Sequence, residues 1–193
     1  MKRTSKLIRK FLVGATISLV VSIMFLEIGS QYYQCPDTGQ NNADVLACHS
    51  SHYPVDPEQM QMIQALSEAQ RQGTEASKKE LDQIINLVKY EEMGGLNGVA
   101  CGNGMLFVRD NLSEEAKYFV ARHELEHAFR WKGVNLECSK EEYCATMIAA
   151  KIYPVGFIET ILSSLYLSAS ESPTVWCFLF GSWRIFREYI LGW

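Results

Sequence analysis

The spacing of apolar residues changes several times along the chain, and each change marks an element. Residues 11–26, FLVGATISLVVSIMFL, are apolar without any period and admit only small polar residues. That is the pattern of a helix surrounded by apolar medium, not of one with a wet face. In 57–73, PEQMQMIQALSEAQRQG, Met60, Ile63 and Leu66 recur at helical spacing and Gly73 closes the run, which predicts an amphipathic helix. In 75–93, EASKKELDQIINLVKYEEM, Leu81, Ile84, Ile85 and Val88 share one helical face and predict a second helix. GGLNGVACGNG (94–104) reads as a glycine-rich turn region, and it lacks the G-K-S/T ending of a phosphate loop. GMLFVRD (104–110) is a short strand candidate. LSEEAKYFVARHELEHAFRWKG (112–133) is a helix, with Asn111 and Ser113 placed to cap it and Glu114 and Glu115 in its first turn.

Two further helices follow. SKEEYCATMIAAKIYP (139–154) opens on a Ser cap and acidic residues and then turns to small residues. VGFIETILSSLYLSAS (155–170) aligns Phe157, Ile161, Leu165 and Ser168. The last stretch, PTVWCFLFGSWRIFREYILGW, holds three of the four tryptophans. Its apolar run from Val175 to Phe180 is too short to span a bilayer. It reads first as a core helix and second as a helix lying on a membrane surface. The fold expected is mainly α with a small β element, α+β, with one domain over 57–193 behind an irregular connector at 30–56.

The N-terminus adds a location. MKRTSKLIRK carries five Lys or Arg and no acid, and it precedes the apolar run. A basic segment before a stretch near bilayer length marks either a cleaved signal peptide or an uncleaved signal anchor. The run is long for a signal peptide and no A-x-A precedes Gln31, so the anchor is favoured, over residues 1–29. The positive-inside rule then places the remainder outside the cytoplasm, secreted if the segment is cleaved. Glu27 falls near the outer end of the span. Cys35, Cys48, Cys101, Cys138, Cys144 and Cys177 all follow the apolar segment, which allows up to three disulfides in an exported domain. Their pairing is open, and Cys144 also fits a plain core position. The net charge of −4, with no later basic block, gives no support to nucleic-acid binding. Nothing in the sequence points to a protein partner.

The chemistry gathers in HELEH, residues 123–127. At 3.6 residues per turn His123 and His127 stand on one helix face, close enough to ligate one ion. Neutral imidazoles suit zinc, whose catalytic sites take three protein ligands and a water. Glu124 lies about 100° round the helix. It is placed to reach a bound water as general base, not to ligate. The competing reading is an exposed charged helix, with Glu126 and Arg130 as an i,i+4 pair. A metal site needs a third ligand, and Glu142 is favoured because Ala145 and Ala149 share its face and allow close helix approach. Glu141 and, nearer the loop, Glu137 compete with it. CHSSH (48–52) is more simply a loop with one disulfide cysteine than a metal clip, and Tyr143, Tyr153 and Arg130 are candidate oxyanion donors.

HELEH with the later EYCATMIAAKIYP resembles the gluzincin arrangement H-E-x-x-H…E-x-x-A. It is most similar to ImmA/IrrE-type metallopeptidases, whose second motif runs E-x-E-A-N-x-F-A-A-x-L-L-x-P. The resemblance covers residues 104–154, about a quarter of the chain, and departs from that motif at Cys144, Thr146 and Ile148. It implies a minimal zincin domain with Zn2+ on His123, His127 and Glu142, Glu124 as catalytic base, and a peptide or protein substrate. EYCAT also resembles the E-Y-x-A-D of HtpX-like membrane proteases. The competing function class is a non-catalytic, disulfide-stabilised binding domain that keeps the zincin shape.

Overall fold

A computed structural model describes residues 15, 16, 18–30, 48, 54, 56–93, 96–102, 104–133, 140–171, 179, 180, 182–184 and 186–192. Most of the connector and the CHSSH histidines lie outside these residues. A helix over residues 18–30 (α1) is followed by α2 at Pro57–Arg71. Asp56 caps α2 by accepting from the Glu58 N–H, and Pro57 supplies a preset φ at its first position. The next helix, α3 at Lys78–Ile84, opens on a reciprocal pair of cap bonds between Ser77 and Glu80.

The helix expected over 75–93 stops at Ile84, and Ile85–Val88 is instead strand β1. Leu81, Ile84, Ile85 and Val88 fit a helical face, but Ile84 is buried as the last helical residue and Val88 as a strand residue. Parallel pairing with β3 decides between the two, because β-branched residues lose little in an extended backbone. Asn86 and Gln59 seal the junction: Asn86 Nδ2 donates to Gln59 Oε1 at 3.1 Å, and Gln59 Nε2 donates to the Ile84 carbonyl.

Part of the glycine-rich stretch is also a strand rather than turn. β2 is Gly98–Ala100, and β3 is Leu106–Arg109, within the expected GMLFVRD. The sheet order is β1-β3-β2, with β1 parallel and β2 antiparallel to β3. Gly104, at φ +90°, takes the left-handed conformation in the β2–β3 connection. All four residues of central β3 are buried. One side chain cluster, with Leu106 and Val108, joins α2, α3 and α4; the other, with Val99, Cys101, Met105 and Phe107, covers the opposite sheet face.

Helix α4, Glu114–Trp131, starts on Ser113, whose hydroxyl accepts from the Ala116 N–H. Residues 118–129 are buried without interruption, so the exposed charged helix is excluded. Glu126 pairs with Arg122, not Arg130, and both are fully buried. Arg122 also meets Glu75 at 2.8 Å. Helix α5, Glu141–Ile152, is capped at Lys140 rather than by a Ser, and Ala145 and Ala149 are buried, as their small size predicts for a close crossing of α4. Helix α6, Pro154–Glu171, covers the helix expected over 155–170. Gly156 and Thr160 face inward, while Phe157 and Ile161 are half-buried and Leu165 is exposed.

Residues 179, 180 and 182–184 are helical, and a π-helical turn follows at Phe186–Leu191. This C-terminal segment grips the end of α1. A Cβ at Gly29 would lie 2.0 Å from Phe180, Trp183 Nε1 donates to Glu27 at 2.9 Å, and Arg187 pairs with Glu27. Among the described residues no helix is long and apolar enough to cross a membrane; residues 1–14 and 17 of the expected anchor lie outside them. Cys48 and Cys101 form a disulfide. Cys144 is also disulfide-bonded, to a cysteine outside the described residues, and so is not a plain core thiol.

A candidate metal centre between α4 and α5

The crossing of α4 and α5 brings His123, His127 and Glu142 together, the three residues the sequence singles out as ligands. The His123 and His127 Nε2 atoms are 3.1 Å apart. Glu142 Oε2 is 3.3 Å from His123 Nε2, and Glu142 Oε1 is 3.4 Å from His127 Nε2. Ligands at roughly 2.0–2.1 Å from a tetrahedral zinc stand roughly 3.3–3.4 Å from one another. The donor set therefore fits that ion in both type and spacing. Two imidazole nitrogens and one carboxylate also match zinc better than the all-oxygen sets of calcium or magnesium.

Hydrogen bonds behind the imidazoles aim them. His127 Nδ1 lies 2.8 Å from Glu141 Oε1, so the nitrogen donates to that carboxylate and leaves Nε2 facing the cluster. Glu141 thus lies behind a candidate ligand, and Glu142, not Glu141, faces both imidazoles. His123 Nδ1 meets Thr146 Oγ1 at 3.3 Å, and Phe119 packs against its ring. The sequence reading missed Thr146, whose signal is its position one helical turn after Glu142. Glu137 lies outside the described residues.

Glu124 is held from the side by the sheet. A Cβ at Gly98 would fall 2.9 Å from Glu124 Oε1 and 2.5 Å from Val120 Cγ1. Only glycine lets the β2 backbone come so close. Flanking β2, the Arg109 N–H donates to the Asn97 carbonyl and the Cys101 N–H to the Met105 carbonyl, whereas the Ala100 N–H donates to Glu124. Burial raises the Glu124 carboxyl above the usual range, partly countered by His123 and His127. Those directions suit a group that exchanges a proton.

The rest of the cluster is poised for positive charge. For Glu142, burial favours the neutral acid, but hydrogen bonds from His123 and His127 outweigh it and hold the carboxyl well below 4.5. For His127, burial favours the neutral ring, yet its hydrogen bond to Glu142, the nearby Glu124 charge and the bond to Glu141 raise it from 6.5 to about 9. Of the oxyanion candidates, Tyr153 stacks on Tyr118, and the Tyr143 ring packs on Gly192. Comparison with protein families, characterised proteins and solved structures finds no match for this chain.

Proposed function

We propose that the chain is a zinc-dependent metallopeptidase with a zincin-like domain, anchored in a membrane by its N-terminal segment and acting on peptide or protein substrates outside the cytoplasm. The observation that carries this reading is the triangle of His123, His127 and Glu142 donor atoms with edges of 3.1–3.4 Å. The likeness of HELEH…EYCATMIAA to the gluzincin pattern supports it, as does the Cys48–Cys101 disulfide for the compartment.

His123, His127 and Glu142 would hold the zinc, which when bound supplies Lewis acidity toward a water and the scissile carbonyl. Glu141 and Thr146 fix the imidazole orientations. Glu124 receives the proton of the attacking water at its carboxylate and returns it to the departing amide nitrogen. Burial raises its proton affinity, which is the direction a group that must take up and hold that proton needs. Gly98 and the Ala100 N–H keep that carboxylate at the side of the cluster.

The test is hydrolysis of a mixed peptide library by the zinc-loaded full chain beside Glu124→Gln. The reading predicts that Glu124→Gln keeps its zinc and loses about 10²–10⁴-fold of the cleavage rate. Equal rates, or no cleavage by a zinc-loaded parent, would favour a non-catalytic binding domain with the same cluster.

A further inference from the structure

Helix α6 is amphipathic with its faces reversed. Toward the protein it turns Gly156, Thr160 and Ser164, small residues four apart. A Cβ at Gly156 would sit 2.0 Å from the Glu115 carbonyl of α4, so the two backbones nearly touch. The polar groups of α6 are used on that side. Thr160 Oγ1 donates to the Gly156 carbonyl at 2.7 Å and Ser164 Oγ to the Thr160 carbonyl at 2.9 Å. Arg109 donates to Ser163 and Asn97 to Ser164, each at 2.7 Å, and Ser113 donates to Glu159.

The outward face carries Val155, Ile158, Leu162, Leu165 and Tyr166, which are 55%, 57%, 61%, 37% and 75% exposed. These positions recur at intervals of three, four, three and one, a single stripe along the helix, and no Lys or Arg occurs anywhere in α6. A soluble helix buries its large aliphatics and wets its small polar residues. Small residues inward, hydroxyls bonded to the main chain one turn back and large aliphatics outward are the arrangement of a helix that meets lipid. Exposed apolar residues scattered singly are ordinary; a contiguous stripe is not. A protein partner would be met by hydrogen-bonding groups interleaved with aromatic anchors. This stripe offers one hydroxyl, on Tyr166 toward its C-terminal end. A second helix of the chain, α1, exposes Leu19, Val20, Val21, Met24, Phe25 and Ile28 in the same way.

We infer that the outward face of α6 is a lipid-binding surface, lying in the plane of the membrane interface and holding the folded domain against the bilayer. Helix α6 is too polar to cross, which fits a helix that lies on the surface. This inference rests on the packing of α6 and is independent of the chemistry at the metal cluster.

The full chain is reconstituted with vesicles of phosphatidylcholine and phosphatidylglycerol, with and without dibrominated acyl chains. Leu162→Trp adds a fluorophore on the stripe. Leu87→Trp adds one at an exposed position on β1, as a control. Both sites are exposed, so neither substitution disturbs the core. The expected result is that emission added at 162 is lost in brominated vesicles, while emission added at 87 persists. Emission at 162 that ignores bromine but is quenched by aqueous acrylamide would overturn the inference, showing a face in water. Emission at 162 shielded from both quenchers would also overturn it, showing a face covered by protein. Failure of the chain to float with vesicles would remove both the lipid surface and the anchor.

Discussion

Glu124 and Gly98 are neighbours that the sequence separates by 26 positions, and their contact has a direct consequence. A methyl group at Gly98 would press on Glu124 Oε1 and Val120. Gly98→Ala is expected to lower the turnover number for peptide while leaving zinc content and KM nearly unchanged, as steady-state kinetics with metal analysis would read. Loss of zinc together with activity would instead mark Gly98 as a residue that shapes the whole cluster. A second expectation concerns pH. His127, raised from 6.5 to about 9 by partners that exist only in the folded chain, stabilises the fold fully below pH 6.5 and loses that contribution as pH rises through about 9. Glu142, lowered from 4.5, stabilises above pH 4.5 and loses its contribution as pH falls below that value. Kept free of metal by a chelator, the protein should lose thermal stability between pH 6.5 and about 9. With zinc, which competes with the same proton, the added stability should grow over that window. Parallel melting profiles with and without zinc would contradict it. At this scale His123, His127 and Glu142 were legible because a helix period alone puts the histidines on one face and Glu142 beside its alanines. Thr146, Gly98 and the role of Glu141 were not, because they depend on how α4, α5 and β2 approach one another.

Among the elements, α4 is the axis, and its buried charge is its most exacting feature. Arg122 and Glu126 are both fully buried, which the HELEH pattern disguised as a surface pair with Arg130. Removing one partner strands the other charge away from water, so Arg122→Ala is expected to cost about 3–5 kcal/mol in chemical denaturation. Arg122→Met combined with Glu126→Leu should recover most of that loss. Equal losses for the single and double variants would show that the pair is not what Arg122 contributes. The strand β1 was misread for a related reason. Leu81, Ile84, Ile85 and Val88 are spaced as one helical face, and only the pairing of Ile85–Val88 with β3, a contact distant in sequence, overrides that spacing. Helix α6 was recognised as a helix, but its aligned row of Phe157, Ile161 and Leu165 is half-buried at the start and exposed at the end. Hydrophobic periodicity reports an apolar face, not the medium that covers it.

As a whole molecule, the chain joins a helical domain with a three-stranded sheet to an apolar N-terminal helix whose end is gripped by the C-terminal segment. The α+β class was legible from the mixture of helical runs and one short strand candidate. The pairing of Cys48 with Cys101 was not, since cysteine positions alone leave many pairings open. The link matters to the site, because Cys101 directly follows Ala100, whose N–H holds Glu124. The same economy recurs in α5, which supplies Glu142, Glu141 and Thr146 to the cluster and is tied by a disulfide at Cys144.

Zinc content of the purified full chain, measured beside Glu142→Ala and Glu141→Ala, tests the central claim most directly. The account predicts near-stoichiometric zinc in the parent and its loss with Glu142→Ala. Glu141→Ala should retain zinc with an affinity weakened about 10–100-fold. A folded, zinc-supplemented parent that binds no metal, or a Glu142→Ala variant that holds zinc as tightly as the parent, would contradict the account.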